Sequence, residues 1–218
     1  MSDVNWNRPD ETTAVRIYPM DGGAPTRISD KYGDFAALAQ GEQAGIDYCI
    51  KLLERAPSKV SILAPHGGSI ERRTSAIATA IAGDNFNLYL FEGNDPAGSF
   101  EVLHITSHRF DEPQCLDLIS QCDTVVAIHG CSGDDRTVML GGLDKPLIAD
   151  LEAAIQPTGV QVLSSNHRYP GTHKQNICNR GRSGRGVQIE LTDALRGSAQ
   201  EGEVVTAIRS VLQDKCFG

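Results

Sequence analysis

Two histidines and two carboxylates carry the chemistry this chain could perform. In Lys59 to Glu71, KVSILAPHGGSIE, an apolar run (Val60, Ile62, Leu63, Ala64) reads as a buried strand that Pro65 ends. His66 follows, and Gly67 and Gly68 allow a tight turn that delivers Glu71 beside it. That is the strand edge at which open α/β sheets place their ligands. A histidine and a glutamate from one loop, completed by a histidine from elsewhere, form the donor set of a catalytic zinc site. Thr124 to Ile128, TVVAI, is a second apolar strand that runs straight into His129-Gly130, which makes His129 the candidate third ligand. Glu190 lies in a third strand, VQIEL, whose alternation puts Val187, Ile189 and Leu191 on one face and Gln188 and Glu190 on the other. A carboxylate there is exposed, paired or protonated, because burying it unpaired is expensive. On an edge strand it is an ordinary solvent-facing residue. Beside a metal ion it is the natural general base for the water that the ion activates.

The cations are distributed unevenly. From Ala153 to Ile189 there is no Asp or Glu, yet the span carries Arg168, Lys174, Arg180, Arg182 and Arg185 in a chain of net charge −8. They are densest in NRGRSGRG, Asn179 to Gly186, where glycines between arginines let guanidinium groups converge on one anion. Asn179, Arg180, Arg182 and Arg185 are therefore candidates for holding an acidic substrate. The alternative is a solvated basic loop that touches nucleic acid. An otherwise acidic protein repels nucleic acid, and no aromatics are interleaved for base stacking. In LHITSH, His104 is a further candidate substrate contact, and His108 is either that or a replacement for one of the ligands.

The elements that position these groups alternate. Phe35 to Ala56 shows apolar residues at helical spacing (Phe35, Leu38; Ile46, Cys49, Ile50, Leu53) and reads as one or two core-covering helices. After Glu71 a helix begins with Thr74 as N-cap, buries Ile77 and Ile81, and stops at Gly83. Asn87 to Phe91 and Val102 to Thr106 read as strands, and Pro113 opens a helix through Leu116 and Ile119. Val138 to Gly142 is a strand, Lys145 to Ile155 a helix with Pro146 in its first turn, and Val160 to Leu163 a strand. Ser164 to Gly186 is a long aperiodic loop, of the kind that is functional in a compact domain. A last helix covers Val204 to Leu212. This alternation indicates an α/β sandwich around a largely parallel or mixed sheet.

Composition narrows the class. A chain of 218 residues supports one substantial core: an irregular lead-in over residues 1–30 and one α/β domain over 31–218 are expected. The N-terminus has no apolar region of the secretory kind, and no stretch approaches the roughly 20 apolar residues of a membrane span. A cytoplasmic protein without membrane or nucleic-acid partners, and a monomer, is expected. Six scattered cysteines without a Cys-x-x-Cys pair read as reduced thiols.

Several blocks together carry a resemblance. DKYGDFAAL and GIDY, then APHGGSIE with Thr74-Ser75, FEG at Phe91, LHITS at Leu103, FDEP at Phe110, AIHG at Ala127 and NICNRGRSGRGVQIELTDALR at Asn176 resemble the phage-type poly-γ-glutamate hydrolase family. The blocks run in order from Asp30 to Arg196. The resemblance implies a three-layer α/β/α sandwich, similar to zinc carboxypeptidases, with one zinc ion per chain. It implies His66, Glu71 and His129 as ligands, Glu190 as general base and an acidic polymer as substrate. Release by lysis would follow if the gene is a phage's. The wider carboxypeptidase pattern departs in two ways: four residues, not two, separate His66 from Glu71, and no Asn-Arg pair lies between that motif and His129. Asn179-Arg180 is expected to take that pair's role. Alternatives from other classes are a deacylase or carboxypeptidase for small acidic amides, a cysteine enzyme using Cys131 with His129, and a non-catalytic binder of polyanions.

Overall fold

The computed structural model describes residues 30–217, so all but the end of the expected lead-in lies outside the described residues. Seven strands form one mixed sheet: β1 Tyr48–Leu53, β2 Val60–Gly68, β3 Asn87–Gly93, β4 Thr124–Cys131, β5 Thr137–Gly142, β6 Gln161–Leu163 and β7 Val187–Thr192. Their spatial order is β1-β3-β2-β4-β7-β5-β6. The central four are parallel, β1 is antiparallel to β3, and β5 is antiparallel to β7 while parallel to β6.

Helices cover both faces, as the alternating pattern requires. On one face α2 (Thr74–Ala82), α5 (Lys145–Ile155) and α6 (Glu201–Phe217) bury Ile77, Ile81, Leu147, Leu151, Val204 and Ile208 against Ile62, Ile128, Val187, Ile189 and Leu191. On the other, α1 (Phe35–Gly41), α3 (Ser99–Leu103), α4 (Pro113–Ser120) and a 3-10 turn at Ile177–Arg180 bury Leu38, Leu103, Ile119 and Ile177 against Leu63, Tyr89, Phe91 and Ala127. Strand alternation decides which residues face which layer. His129 and Glu190 belong to the second face, because their neighbours Ile128 and Ile189 belong to the first.

Four local expectations are corrected. Pro65 does not end its strand, because β2 runs on to Gly68. The register against β3 shifts between Ala64 and Gly67, and pairing with β4 stops at Leu63, so the missing proline N–H falls where the ladder is already interrupted. Residues 48–53 form the edge strand β1 rather than a helix, leaving Leu53 exposed; pairing with β3 overrides the helical spacing. The run after Gly98 is the short helix α3 followed by a loop, not a strand over Val102–Thr106. Thr74 is the first helical residue rather than the cap. Its hydroxyl donates to the carbonyls of Glu71 (2.7 Å) and His66 (3.1 Å), so it ties the helix start to the turn between those two residues.

Candidate metal centre and active site

The turn that carries Glu71 is built for its task. The Glu71 amide donates back to the His66 carbonyl at 2.9 Å and Ile70 N–H donates to Gly67 at 3.2 Å, closing the loop on itself. Gly68 adopts φ +62°, and a Cβ there would collide with the Gly93 carbonyl of the neighbouring strand. Arg73, also left-handed at φ 71°, is held from outside by a two-pronged contact with Glu201 of α6 at 2.8 and 2.6 Å. The loop therefore has little freedom, and neither has Glu71.

Three donors converge. Glu71 Oε1 lies 2.9 Å from His66 Nδ1, Glu71 Oε2 lies 3.5 Å from His129 Nδ1, and the two Nδ1 atoms are 3.1 Å apart. Tetrahedral ligands at zinc bond lengths of 2.0–2.1 Å are about 3.3 Å from one another, so the donor spacing fits such an ion. The outer nitrogens are also engaged. His66 Nε2–H donates to the Ile105 carbonyl at 2.9 Å, which makes Nδ1 the nitrogen with the lone pair, and His129 Nε2 meets Ser107 Oγ at 3.3 Å. Outer contacts of this kind set the tautomer and orientation of metal-binding histidines. Gly130 N–H donates to Glu71 Oε2 at 2.9 Å, binding the carboxylate to β4 itself. Burial acts to raise the Glu71 pKa, but the two histidines outweigh it and keep the carboxyl well below its usual range.

His104 joins the cluster from α3's end. The donor atoms of His66, Glu71 and His104 lie within 4.8 Å of one another, and the His104 ring packs 4.1 Å from that of His66. Its Nδ1 is held at 2.8 Å by Asp30. Burial, and then the proximity of His66, lowers its pKa, with Asp30 and Glu71 acting the other way. His108 is elsewhere: it is exposed and its ring packs 4.9 Å from His173.

Glu190 sits directly opposite His129 in the β4–β7 register and is 5% exposed. It is on a central strand, not an edge, which removes the solvent-facing alternative. Burial, reinforced by the negative charge of Glu71, pushes its pKa well above the usual carboxylate range; Arg196, Gln188 and Arg168 act the other way. Gln188 Nε2 donates to Glu190 Oε1 at 2.9 Å. Cys131 lies two residues past His129, but burial and then Glu190 push its thiol up to about 12, so it is not a thiolate nucleophile at neutral pH.

The arginine loop is placed differently from expectation. Asn179 is 2% exposed; its amide oxygen accepts from Leu143 N–H (3.2 Å) and Gly186 N–H (3.1 Å), and its amide nitrogen donates to the carbonyls of Gly171 (2.8 Å) and His173 (3.0 Å). All its hydrogen-bonding capacity is spent bracing the loop. Arg182 forks onto Asp123 at 2.6 Å on both prongs, just before the amino end of β4 and roughly 20 Å along the strand from His129. Arg185 approaches Asp144 at 3.8 Å, at the same end, since Gly142 pairs with Val187. Arg180 donates to the Phe110 carbonyl at 3.2 Å and braces the loop that carries Ser107. Arg168 and Arg196 are the cations near Glu190. Arg168 is exposed, donates to the Ser132 carbonyl at 3.2 Å and packs 5.1 Å from the Tyr169 ring. Arg196 is 7% exposed, donates to the Arg72 and Cys131 carbonyls, pairs with Asp193, and lies against Gly130, where a Cβ would overlap its guanidinium. Arg168 was visible in the sequence among the five cations, but nothing there set it apart; Asp30 and Ser107, the histidines' outer partners, carry no sequence signal of that role.

Comparison with known proteins places this geometry in context. Residues 32–209 match the poly-gamma-glutamate hydrolase family. The SPbeta prophage-derived protein YoqZ of Bacillus subtilis is 38% identical over 170 residues, which cover 77% of this chain and 61% of that protein. The chain thus spans about three fifths to two thirds of the length of the first curated relatives it matches. The structure of a bacteriophage poly-gamma-glutamate hydrolase superposes with a TM-score of 0.81 at 28% identity over 86% of this chain and 98% of the other. The zinc-free structure of YndL, whose sequence is from Bacillus subtilis, does so with 0.78 at 31% identity over 86% and 99%. No helix among the described residues is long and apolar enough to cross a membrane.

Proposed function

The chain belongs to the poly-gamma-glutamate hydrolase family, and from that premise we propose that it hydrolyses the γ-glutamyl amide bonds of poly-γ-glutamate with one zinc ion held by His66, Glu71 and His129. The observation that carries the reading is the buried donor set, two Nδ1 atoms and a carboxylate 2.9–3.5 Å apart, with a second carboxylate, Glu190, one strand away. Imidazole and carboxylate donors in near-tetrahedral spacing suit zinc. The zinc-free form named for YndL supports that choice of metal.

A divalent ion held there supplies Lewis acidity toward an amide carbonyl and activates a water. The remaining work falls to the chain's own groups. Glu190 takes the proton of the attacking water and returns it to the departing amide nitrogen as the C–N bond breaks, so the carboxyl ends the cycle as it began. A raised pKa suits the first of these transfers, because it makes the carboxylate a stronger base toward the proton of water. His104, its ring packed against that of His66, is retained as a substrate contact. Arg168 replaces Arg182 and Arg185 as the cation for a free α-carboxylate, since it stands exposed beside Cys131 and Glu190 while they face the other end of the sheet.

The test is release of new amino groups from poly-γ-glutamate, with α-linked polyglutamate as the contrast. Cleavage of the γ-linked polymer alone is expected. No amine release from it contradicts the reading, and equal release from both makes the protein a broader peptidase.

A further inference from the structure

A run of three buried amide and carboxyl side chains leads from the long loop to Glu190. Cys178 N–H donates to Asn176 Oδ1 at 3.1 Å, Asn176 Nδ2 donates to Gln188 Oε1 at 2.7 Å, and Gln188 Nε2 donates to Glu190 Oε1 at 2.9 Å. Asn176, Gln188 and Glu190 are each 5% exposed. A backbone N–H can only donate, so Asn176 must turn its oxygen toward Cys178 and its NH2 toward Gln188. Gln188 must then present its oxygen to Asn176 and its NH2 to Glu190. Reversing either amide would set oxygen against oxygen in a buried site, where an unmade hydrogen bond is costly.

We propose that Gln188 is a positioning residue that assigns the two oxygens of Glu190 different tasks, with Asn176 setting the direction of the contact. This rests on Glu190 being the base. Gln188 engages Oε1, and among the described residues no hydrogen bond engages Oε2, so Oε2 is the atom that takes and returns the proton. The same 3-10 turn serves the metal side. Ile177 N–H, next to Asn176, donates to the Ser107 carbonyl at 2.9 Å, and Ser107 Oγ meets His129 Nε2 at 3.3 Å. One dipeptide in the 164–186 loop thus braces the base through Gln188 and a ligand through Ser107. This gives the loop a task besides the contacts of its arginines.

Two variants test the relay. Gln188→Met removes the donor at nearly constant shape. Asn176→Asp still accepts from Cys178 N–H but has no hydrogen to give, so it turns the Gln188 amide and points its carbonyl at Glu190. On poly-γ-glutamate, kcat is expected to fall about 10- to 100-fold in Gln188→Met, and further in Asn176→Asp, with KM and bound zinc unchanged. A purely structural network predicts the opposite pattern: a lower Tm in both variants with kcat intact. Glu190→Gln is measured alongside. If it abolishes turnover while Gln188→Met keeps wild-type kcat, the relay is overturned and the base stands. If Glu190→Gln stays active, the base assignment fails and the relay with it. Should Asn176→Asp not fold, Gln188→Met alone decides.

Discussion

His129 and Glu190 are cross-strand partners in adjacent parallel strands, so the same register that pairs TVVAIHGC with VQIELT sets a ligand candidate beside a base candidate. A slip of one residue would send Glu190 to the opposite face, among Ile62, Ile128 and the α5–α6 layer. The apolar residues flanking each polar one, Ile128 and Ile189 above all, forbid that slip because they would then have to face the second layer. The chemistry is positioned by the hydrophobic pattern around it.

Glu190→Gln keeps shape and removes the basic oxygen. Turnover of poly-γ-glutamate should drop by about 10²- to 10⁴-fold, the range general bases supply, while zinc content stays at the wild-type level. Elemental analysis beside a rate measurement separates loss of the base from loss of the metal; retained activity sinks the assignment.

Arg168→Ala should raise KM for the polymer with a small effect on kcat and flatten its salt dependence, because an exposed cation acts through a screened field. Arg182→Ala and Arg185→Ala should leave KM as it is. The reverse pattern would restore the glycine-arginine segment as the substrate contact.

The contrast between these arginines shows what was legible in the sequence. The strand runs of the parallel core and the face shared by Gln188 and Glu190 rest on periodicity, and the roles expected of His66, Glu71 and His129 on blocks of resemblance. Where Arg182 points depends on how a 23-residue loop, 164–186, closes over the sheet, and Asp123 decides that from 59 positions away. Likewise YCIKLL reads as helix until β3 offers it an edge to pair with. Asp30 and Ser107 meet their histidines only through tertiary contacts of 74 and 22 residues' separation.

Cys131 gives a chemical prediction. Its thiol is 6% exposed and pushed up to about 12, so iodoacetamide at neutral pH should leave activity intact, and Cys131→Ser should retain most of it. Stoichiometric inactivation on alkylation of Cys131 would revive the cysteine mechanism.

Glu201 gives a pH prediction at the outer brace of the Glu71 loop. Burial acts to raise its pKa, yet Arg73 and the Gly197 N–H outweigh that and lower it. A carboxyl depressed in the folded state adds stability above its unfolded pKa of about 4.3, and that stability is lost as pH falls through the folded value. Glu201→Gln should therefore cost about 1 kcal/mol at pH 7, and the difference from wild type should vanish toward pH 3. Urea titrations at several pH values check this; a constant difference would mean the Arg73 contact is not what the carboxylate contributes.

The central claim is that the His66–Glu71–His129 cluster holds the ion on which depolymerisation depends. The most direct measurement follows poly-γ-glutamate chain length by viscosity with the protein as purified, after chelation, and after zinc is returned, with metal content read at each stage. The account predicts about one zinc per chain, cleavage that stops with its removal and resumes with its return, and neither bound zinc nor cleavage in His129→Ala. Undiminished cleavage by metal-free protein would contradict it.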